Sequence, residues 1–287
     1  MMDDNINQSI QTMSESPEPT AADTGVRRVR HAMKLRLLQV RRITDISPLL
    51  RCVTFTGADL QDFVTASFDD HVKLFFPLPG EVEPLLPSGP PGSRATDGPR
   101  PVARDYTPRR FDAAVGELDI EFLLHGHGPA ASWAAQATIG QKLGLGGPRG
   151  SFILPDGLPW QLLIGDDAAL PAIARRLAEL PAGTPVQVLQ ETRDAGTQVA
   201  LPTAAAAQIS WLHRHAAAPG TSGLLAAAAG RLAKPDGDGF VWAAGEAAEI
   251  AAVRQVLVSQ WGLPKHQIRA ASYWKRGAES HHEVMDA

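Results

Sequence analysis

The chain has 287 residues, enough for two ordinary domains. Hydrophobic residues make up 44% and charged residues 20%, so a sizeable core can form and global disorder is excluded. A net charge of −4 argues against a chain that binds polyanions, and no nucleic-acid partner is expected.

Residues 1–33 are rich in Asp, Asn, Gln, Ser, Pro and Thr, and are read as a disordered tail. The first 22 are polar and acidic and lack the apolar core of a signal peptide. No apolar run reaches the ~20 residues that span a bilayer. A cytoplasmic location is therefore the default expectation; the sequence does not give the oligomeric state, and a monomer is one option.

From Met33 onward the pattern becomes period-two. Residues 34–43 alternate loosely, with Leu35, Leu37 and Ile43 among polar neighbours. Residues 50–56 are rich in β-branched side chains. Residues 71–76 put Val72, Leu74 and Phe76 on one face, and residues 118–124 do the same with Leu118, Ile120, Phe122 and Leu124. Such strands, separated by turn residues, predict an antiparallel β-barrel over residues 34–154. The lone cysteine, Cys52, lies in the apolar run 49–55 and reads as a small core residue rather than a nucleophile. It can form no internal disulfide and cannot by itself hold zinc or an iron–sulfur cluster. Between two of the strands, residues 77–101 form a long loop dense in Pro and Gly. It is either functional or a tolerated surface insertion.

The character changes after Pro155. Short apolar strands at 160–164, 185–189, 208–212, 240–244 and 268–274 alternate with helical patterns at 168–180, 216–233 and 246–261. That alternation predicts an α/β domain with a parallel sheet over residues 155–276, followed by a C-terminal tail, 277–287. The tail holds His281, His282 and Glu283 and is expected to fray.

Several short segments carry chemistry. In Arg104-Asp105-Tyr106-Thr107, residues two apart share a strand face, so Arg104 and Tyr106 point together. A flavin needs a flat aromatic surface, a hydrogen bond near its reactive N5 and cations for its diphosphate. Tyr106, Thr107 and Arg104 supply these in turn. Taken alone, the four residues read rather as an ordinary polar strand.

The segment from His125 to Ala134 follows a strand directly and opens a short helix. Gly128 permits close backbone approach, the helix N-terminus offers free N–H groups to a phosphate, and Ser132 adds a hydroxyl. His125 and His127, two apart on a loop without nearby acids, make a poor metal site, and no metal-ligand set is expected. Gly147-Pro148-Arg149-Gly150 is a tight turn that either simply leaves the barrel or contributes Arg149 to a basic patch.

In the second half, Gly165-Asp166-Asp167-Ala168-Ala169-Leu170-Pro171 joins the first strand to its helix, and Gly245-Glu246 ends a later strand equivalently. Both loops lie where open α/β sheets bind ligands, so Gly165, Asp166, Asp167, Gly245 and Glu246 are candidates for holding a nicotinamide cofactor. The first loop is not G-x-G-x-x-G and carries two acids, so a dinucleotide phosphate would not bind there as in a Rossmann dehydrogenase.

Together these segments resemble the siderophore-interacting proteins, ferric-siderophore reductases within the ferredoxin-reductase-like flavoproteins. Four elements carry the resemblance in order. The first is Arg104 to Asp112. The second is His125-Gly126 through Trp133-Ala134, with Gly147 to Phe152. The third is Gly165 to Ile173, and the fourth is Gly245-Glu246 with Ser272-Tyr273-Trp274-Lys275-Arg276-Gly277.

The resemblance covers about residues 34–277. It implies an FAD-binding barrel followed by a nicotinamide-binding-type domain, and reduction of Fe(III) held by a siderophore. It implies that Arg104, Tyr106, Thr107 and Arg109 hold the flavin and its phosphates. His125, Gly128, Pro129, Ala130, Ser132 and Trp133 would follow the ribityl and diphosphate. Tyr106 and Thr107 would act at the reacting ring, and Lys275, with Arg149 and Arg276, would meet an anionic siderophore. The Tyr-Trp-Lys ending resembles the branch associated with NADPH, with NADH or ferredoxin as the other donors. Two departures stand out: Asp167 replaces the usual Glu and Ala168 the usual Thr, and the 77–101 loop is long. A general reductase of flavins or electron carriers, and a siderophore-binding protein without catalysis, are the competing readings.

Overall fold

The computed structural model describes residues 25–88, 100–126, 128–278 and 283–285. The expectations placed on residues 1–24 and 89–99, and on His127, His281 and His282, lie outside these.

Alternating apolar residues build the first half. Its strands are β1 (Arg27–Arg30), β2 (Leu35–Ser47), β3 (Leu50–Thr56), β4 (Val72–Phe76), β5 (Val102–Tyr106), β6 (Arg110–Asp112), β7 (Glu117–Leu123), β8 (Lys142–Gly146) and β9 (Gly150–Ile153), with helix α1 (Pro129–Gln136) between β7 and β8. Seven of them form one antiparallel sheet in the order β5-β4-β8-β2-β3-β7-β6. Val53, Phe55, Val72, Leu74, Phe76, Leu118, Ile120 and Phe122 fill its inner face, as expected of period-two strands.

The expected barrel is open. Its edge strands β5 and β6 share no ladder, although only Thr107-Pro108-Arg109 separates them, a link of at most about 14 Å. Pro108 has no N–H to donate, and its carbonyl accepts from Arg175 of the second half instead. The sheet is thus a curled half-barrel with a slot along the Tyr106–Arg109 link.

On the first part of β2 the inward face is the opposite of the one expected. Leu35 and Leu37 are 39% and 37% exposed, while Leu38, Val40 and Arg36 are buried. Ile43 does pack against the core, because the pairing with β3 shifts register between Val40 and Arg42 and the alternation changes phase there, while Arg36 is satisfied inside. Its guanidinium donates to the carbonyls of Asp59, Lys34 and Gly147 and to the Asp62 carboxylate.

The second half contains β10 (Gln161–Gly165), α2 (Leu170–Glu179), β11 (Pro185–Thr192), β12 (Ala206–His213), α3 (Leu224–Ala229), β13 (Phe240–Glu246), α4 (Ala247–Trp261), β14 (Ile268–Trp274) and β15 (Glu283–Val284). β12-β11-β10-β13-β14 run parallel in that order. Successive residues of β10 point to opposite faces: Leu163 packs with Ile173 and Leu177 of α2, and Leu162 and Ile164 with Ile250, Val253 and Leu257 of α4. Helices therefore cover both faces. The helix expected across residues 216–233 shrinks to α3, since Pro219 and the positive-φ Gly220 and Gly223 break the alanine-rich run before it. No helix among the described residues is long and apolar enough to cross a membrane.

Within the described residues, parts of both presumptive tails pair with the fold. Arg27–Arg30 pairs antiparallel with β9. Gly150 makes this possible, because a Cβ there would lie 2.4 Å from the Val29 carbonyl oxygen. Glu283–Val284 adds an antiparallel edge to β14, and Met285 packs against the α3–α4 side of the core. Two or four ordered residues gain ladder hydrogen bonds on an existing sheet edge, and composition alone does not register that.

Buried polar contacts fasten the halves together. Asp69, just before β4, accepts from Trp242 Nε1 at 2.8 Å and from Arg269 Nε at 2.5 Å. In the other direction Arg175 donates to Thr65 Oγ1 and to the Pro108 carbonyl, both at 2.8 Å. Substituting Asp69→Ala leaves a buried indole N–H and a half-buried guanidinium unpaired. We expect a loss of about 3–5 kcal/mol in urea unfolding, and a smaller loss for Asp69→Asn. A loss under about 1 kcal/mol for both would remove Asp69 from this role.

Candidate active site

The slot in the half-barrel faces the carboxyl ends of β10, β13 and β14. Between them lies a cavity of about 320 Å³. The half-barrel contributes Leu50, His71, Tyr106, Thr107, Leu123 and His125, and the second half contributes Ala168, Pro171, Pro219, Tyr273 and Trp274. The walls are therefore mainly flat and apolar.

Tyr106 packs against Phe122 with ring centroids 4.6 Å apart. Burial, opposed by the Arg104 charge, raises its phenol well above the ordinary value, so the hydroxyl stays protonated. Thr107 is buried and shares a side-chain hydrogen bond with Tyr273, whose own phenol is raised by burial. One bond thus joins the two halves in the wall of the cavity.

Three carboxylates also line the cavity, and each has a basic partner. Asp105 lies 2.7 Å from Lys73 Nζ, and Asp167 lies 2.7 Å from Arg214 Nη1. Glu121 lies 3.2 Å from Arg109 Nε. This last contact is an ion pair without hydrogen-bond alignment, since the Nε–H of Arg109 points at no acceptor. Burial raises Glu121 while Arg109 pulls it back.

From the cavity β5 leads to a wider groove of about 980 Å³, lined by Arg104, Pro129, Ser132 and Trp133. Helix α1 opens into it. Its N-cap is Gly128 at φ 82°, no side chain caps it, and Pro129 stands at its first position. The first turn thus leaves backbone N–H groups for an anion. Ala130 belongs to this turn, but its side chain is in the core.

An extended cofactor with a flat ring system, a linker and a diphosphate fits this arrangement. Tyr106 and the apolar walls could take the ring, and Arg104 and the α1 N-terminus could take the diphosphate. Arg104, Tyr106, Thr107, His125, Pro129, Ser132 and Trp133 all line one of the two spaces, and Gly128 and Ala130 flank them. Arg109 lines neither, because its charge is turned to Glu121.

The residues expected to hold a nicotinamide divide differently. Asp167 lines the cavity. Gly165 serves close packing, since a Cβ there would meet that of Ala169 at 2.5 Å. Asp166 is buried and turned inward, accepting from Trp274 Nε1 at 2.7 Å, Ala168 N at 2.9 Å and Glu246 N at 3.0 Å. Glu246 caps α4, accepting from Ala248 N and Glu249 N, and also accepts from Arg276 N. Gly245 leaves room for the Asp166 carboxylate. These four residues shape the loops and do not line the cavity. Lys275 and Arg276 are exposed immediately after Trp274, and Arg149 is exposed on the β8–β9 turn.

Sequence reasoning passed over several lining residues. His71 ends an Asp69-Asp70-His71 run before an apolar strand, a usable signal. Tyr273 and Trp274 were visible in their motif but not as walls.

Residues 39–152 match the siderophore-interacting FAD-binding domain, and residues 158–277 match the siderophore-interacting protein family. The chain is 34% identical to the NADPH-dependent ferric-chelate reductase of Escherichia coli over 252 residues, 86% of this chain and 95% of that one. The chain belongs to the siderophore-interacting protein family. It is also 34% identical to the ferric vibriobactin reductase ViuB of Vibrio cholerae, over 88% of this chain and 95% of that relative. A siderophore utilization protein from T. fusca superposes with a TM-score of 0.84 at 37% identity, covering 89% of this chain and 98% of that one. In this family member the half-barrel is the FAD-binding domain, and it carries the groove and one side of the cavity described above.

Cys52 pairs with Glu121 across β3 and β7. Burial, then the charges of Asp119 and Glu121, push its thiol up to about 12. At pH 8 the folded protein should therefore be alkylated by iodoacetamide about three orders of magnitude more slowly than a free cysteine. Alkylation at the free rate would overturn this assignment.

Proposed function

We propose that this chain is an FAD-dependent ferric-siderophore reductase that takes its electrons from NAD(P)H. The observation that carries the reading is the cavity itself. It sets Tyr106 and Thr107 of the FAD-binding domain against the carboxyl ends of the parallel strands, where open α/β sheets take their ligands. The family relatives named above, a ferric-chelate reductase using NADPH and a ferric vibriobactin reductase, support both the substrate class and the donor.

On this reading residues 34–154 form the FAD domain and residues 155–276 the nicotinamide-binding domain. Acceptance of hydride from a nicotinamide and release of single electrons to ferric ion are the chemistry that FAD supplies when bound. The protein binds, orients and shields. Tyr106 offers a ring face, and its protonated hydroxyl donates. Thr107, fixed by Tyr273, presents a hydroxyl beside the ring. Arg104, Ser132 and the first turn of α1 hold the diphosphate. Ala168, Pro171, Pro219 and Trp274 exclude water from the nicotinamide side. Asp167, neutralised by Arg214, admits an anionic donor without repelling it. The ferric ion arrives inside its chelate and needs no protein ligand, and Lys275, Arg276 and Arg149 are the cations that would meet an anionic chelate.

The purified protein should show the two visible absorption bands of a flavin. Mixed anaerobically with NADPH, a ferric siderophore and a ferrous trap, it should release trapped Fe(II). No ferrous signal with NADPH, NADH or reduced ferredoxin would end the reductase reading. Equal turnover with any flavin or carrier, and no preference for ferric chelates, would favour a general reductase. Arg104→Ala should weaken FAD binding roughly 10- to 100-fold, corresponding to a charge-assisted hydrogen bond of about 1.5–3 kcal/mol. Titrating apo-protein with FAD measures it.

A further inference from the structure

We infer that Asp166 is a positioning residue whose carboxylate holds the Trp274 indole as a fixed wall of the cavity, and so sets where the nicotinamide ring lies. The inference rests on the reading of this cavity as the flavin and nicotinamide site.

The backbone first brings Trp274 there. Successive strand residues point to opposite faces, yet Tyr273 and Trp274 both line the cavity. A register shift explains it: Gly245 pairs with Ser272, but Glu246 pairs with Trp274, so Tyr273 is skipped. Such a bulge re-aims side chains at the end of a strand.

The carboxylate then fixes the indole. Trp274 Nε1 donates to Asp166 Oδ2 at 2.7 Å. The same oxygen accepts from Glu246 N at 3.0 Å, and Oδ1 accepts from Ala168 N at 2.9 Å. One buried side chain thus links the ends of β10, β13 and β14 to the indole. Two glycines leave the space this needs. A Cβ on Gly245 would lie 2.7 Å from Asp166 Oδ2, and one on Gly220 would lie 2.5 Å from the Glu246 side chain and 3.1 Å from the Trp274 ring.

The charged groups around Asp166 are accounted for. Asp167 is paired with Arg214, and Glu246 is engaged with the α4 N-terminus and with Arg276 N. Burial pushes the Asp166 carboxyl up from 3.8 to about 7, against the pull of the Trp274 donor and with a push from Asp167. The indole N–H therefore meets a group that changes charge near neutrality.

The test uses the full chain without added FAD, then with it. One of the six tryptophan indole N–H resonances should vanish in Trp274→Phe. In the native chain it should shift with pH through about 7, and in Asp166→Asn it should stay constant. With FAD bound, Asp166→Asn should raise KM for NADPH about 5- to 10-fold and change kcat less than 2-fold. Trp274→Phe, which keeps a ring but lacks the N–H, should do the same. The double variant should be no worse than either single one, as expected of two residues acting through one contact. An indole resonance indifferent to pH and to Asp166→Asn, or KM losses that multiply in the double variant, would overturn the inference. The absence of any nicotinamide-dependent reduction in the native chain would instead strike the underlying reading, leaving the resonance result intact.

Discussion

The site depends on how firmly the half-barrel is held against the parallel sheet, and buried polar contacts do the holding. Asp69 of the first half accepts from Trp242 and Arg269 of the second, while Arg175 of the second reaches Thr65 and Pro108 of the first. Apolar contact alone would let two such surfaces slide, since it is non-directional. Directional bonds in a dry interface fix distance and angle, because each unpaired group left behind is costly. Pro108 follows Thr107 directly, so the clamp that closes the interface also sets the backbone of a residue that lines the cavity.

That constraint explains why the half-barrel stays open. A closed barrel would bond β5 to β6 and bury the link between them. Here the link is satisfied by Arg175 from across the interface, and Tyr106 and Thr107 remain available to a ligand. The bulge at Gly245 and Glu246 does the corresponding work on the other side, turning two consecutive aromatic residues into the same space.

The local parts of this arrangement were legible in the chain. Period-two and helical spacing located most strands and the helices α2 and α4. The Arg104–Thr107 strand and the glycine-opened helix α1 pointed to residues that line the groove and the cavity, because strand alternation and helix termini are properties of neighbouring residues. Partnerships across the chain were not legible. Nothing near Arg109 indicates that Glu121 will claim its charge, which requires the pairing of β6 with β7. Asp166 stands in a loop suited to a ligand, and only the fold shows its three donors to be Trp274, Ala168 and Glu246. The reversed phase of the first part of β2 is of the same kind: Arg36 can face inward only because distant carbonyls await it. The ordering of Arg27–Arg30 and Glu283–Val284 depends on sheet edges that their own composition does not announce.

The paired carboxylates of the cavity have a wider consequence. Asp105, Glu121 and Asp167 each stand against a basic residue, so the cavity wall presents dipoles rather than net charge. Fields from such close pairs fall away within a few ångströms and are little altered by dissolved ions, which screen over about 8–10 Å. The long-range field at the entrance is left to exposed side chains outside it. Encounter with a charged chelate and binding inside the cavity would therefore be separable properties of this molecule: the first responding to ionic strength through surface cations, and the second to the shape of a cavity whose lining carboxylates are paired.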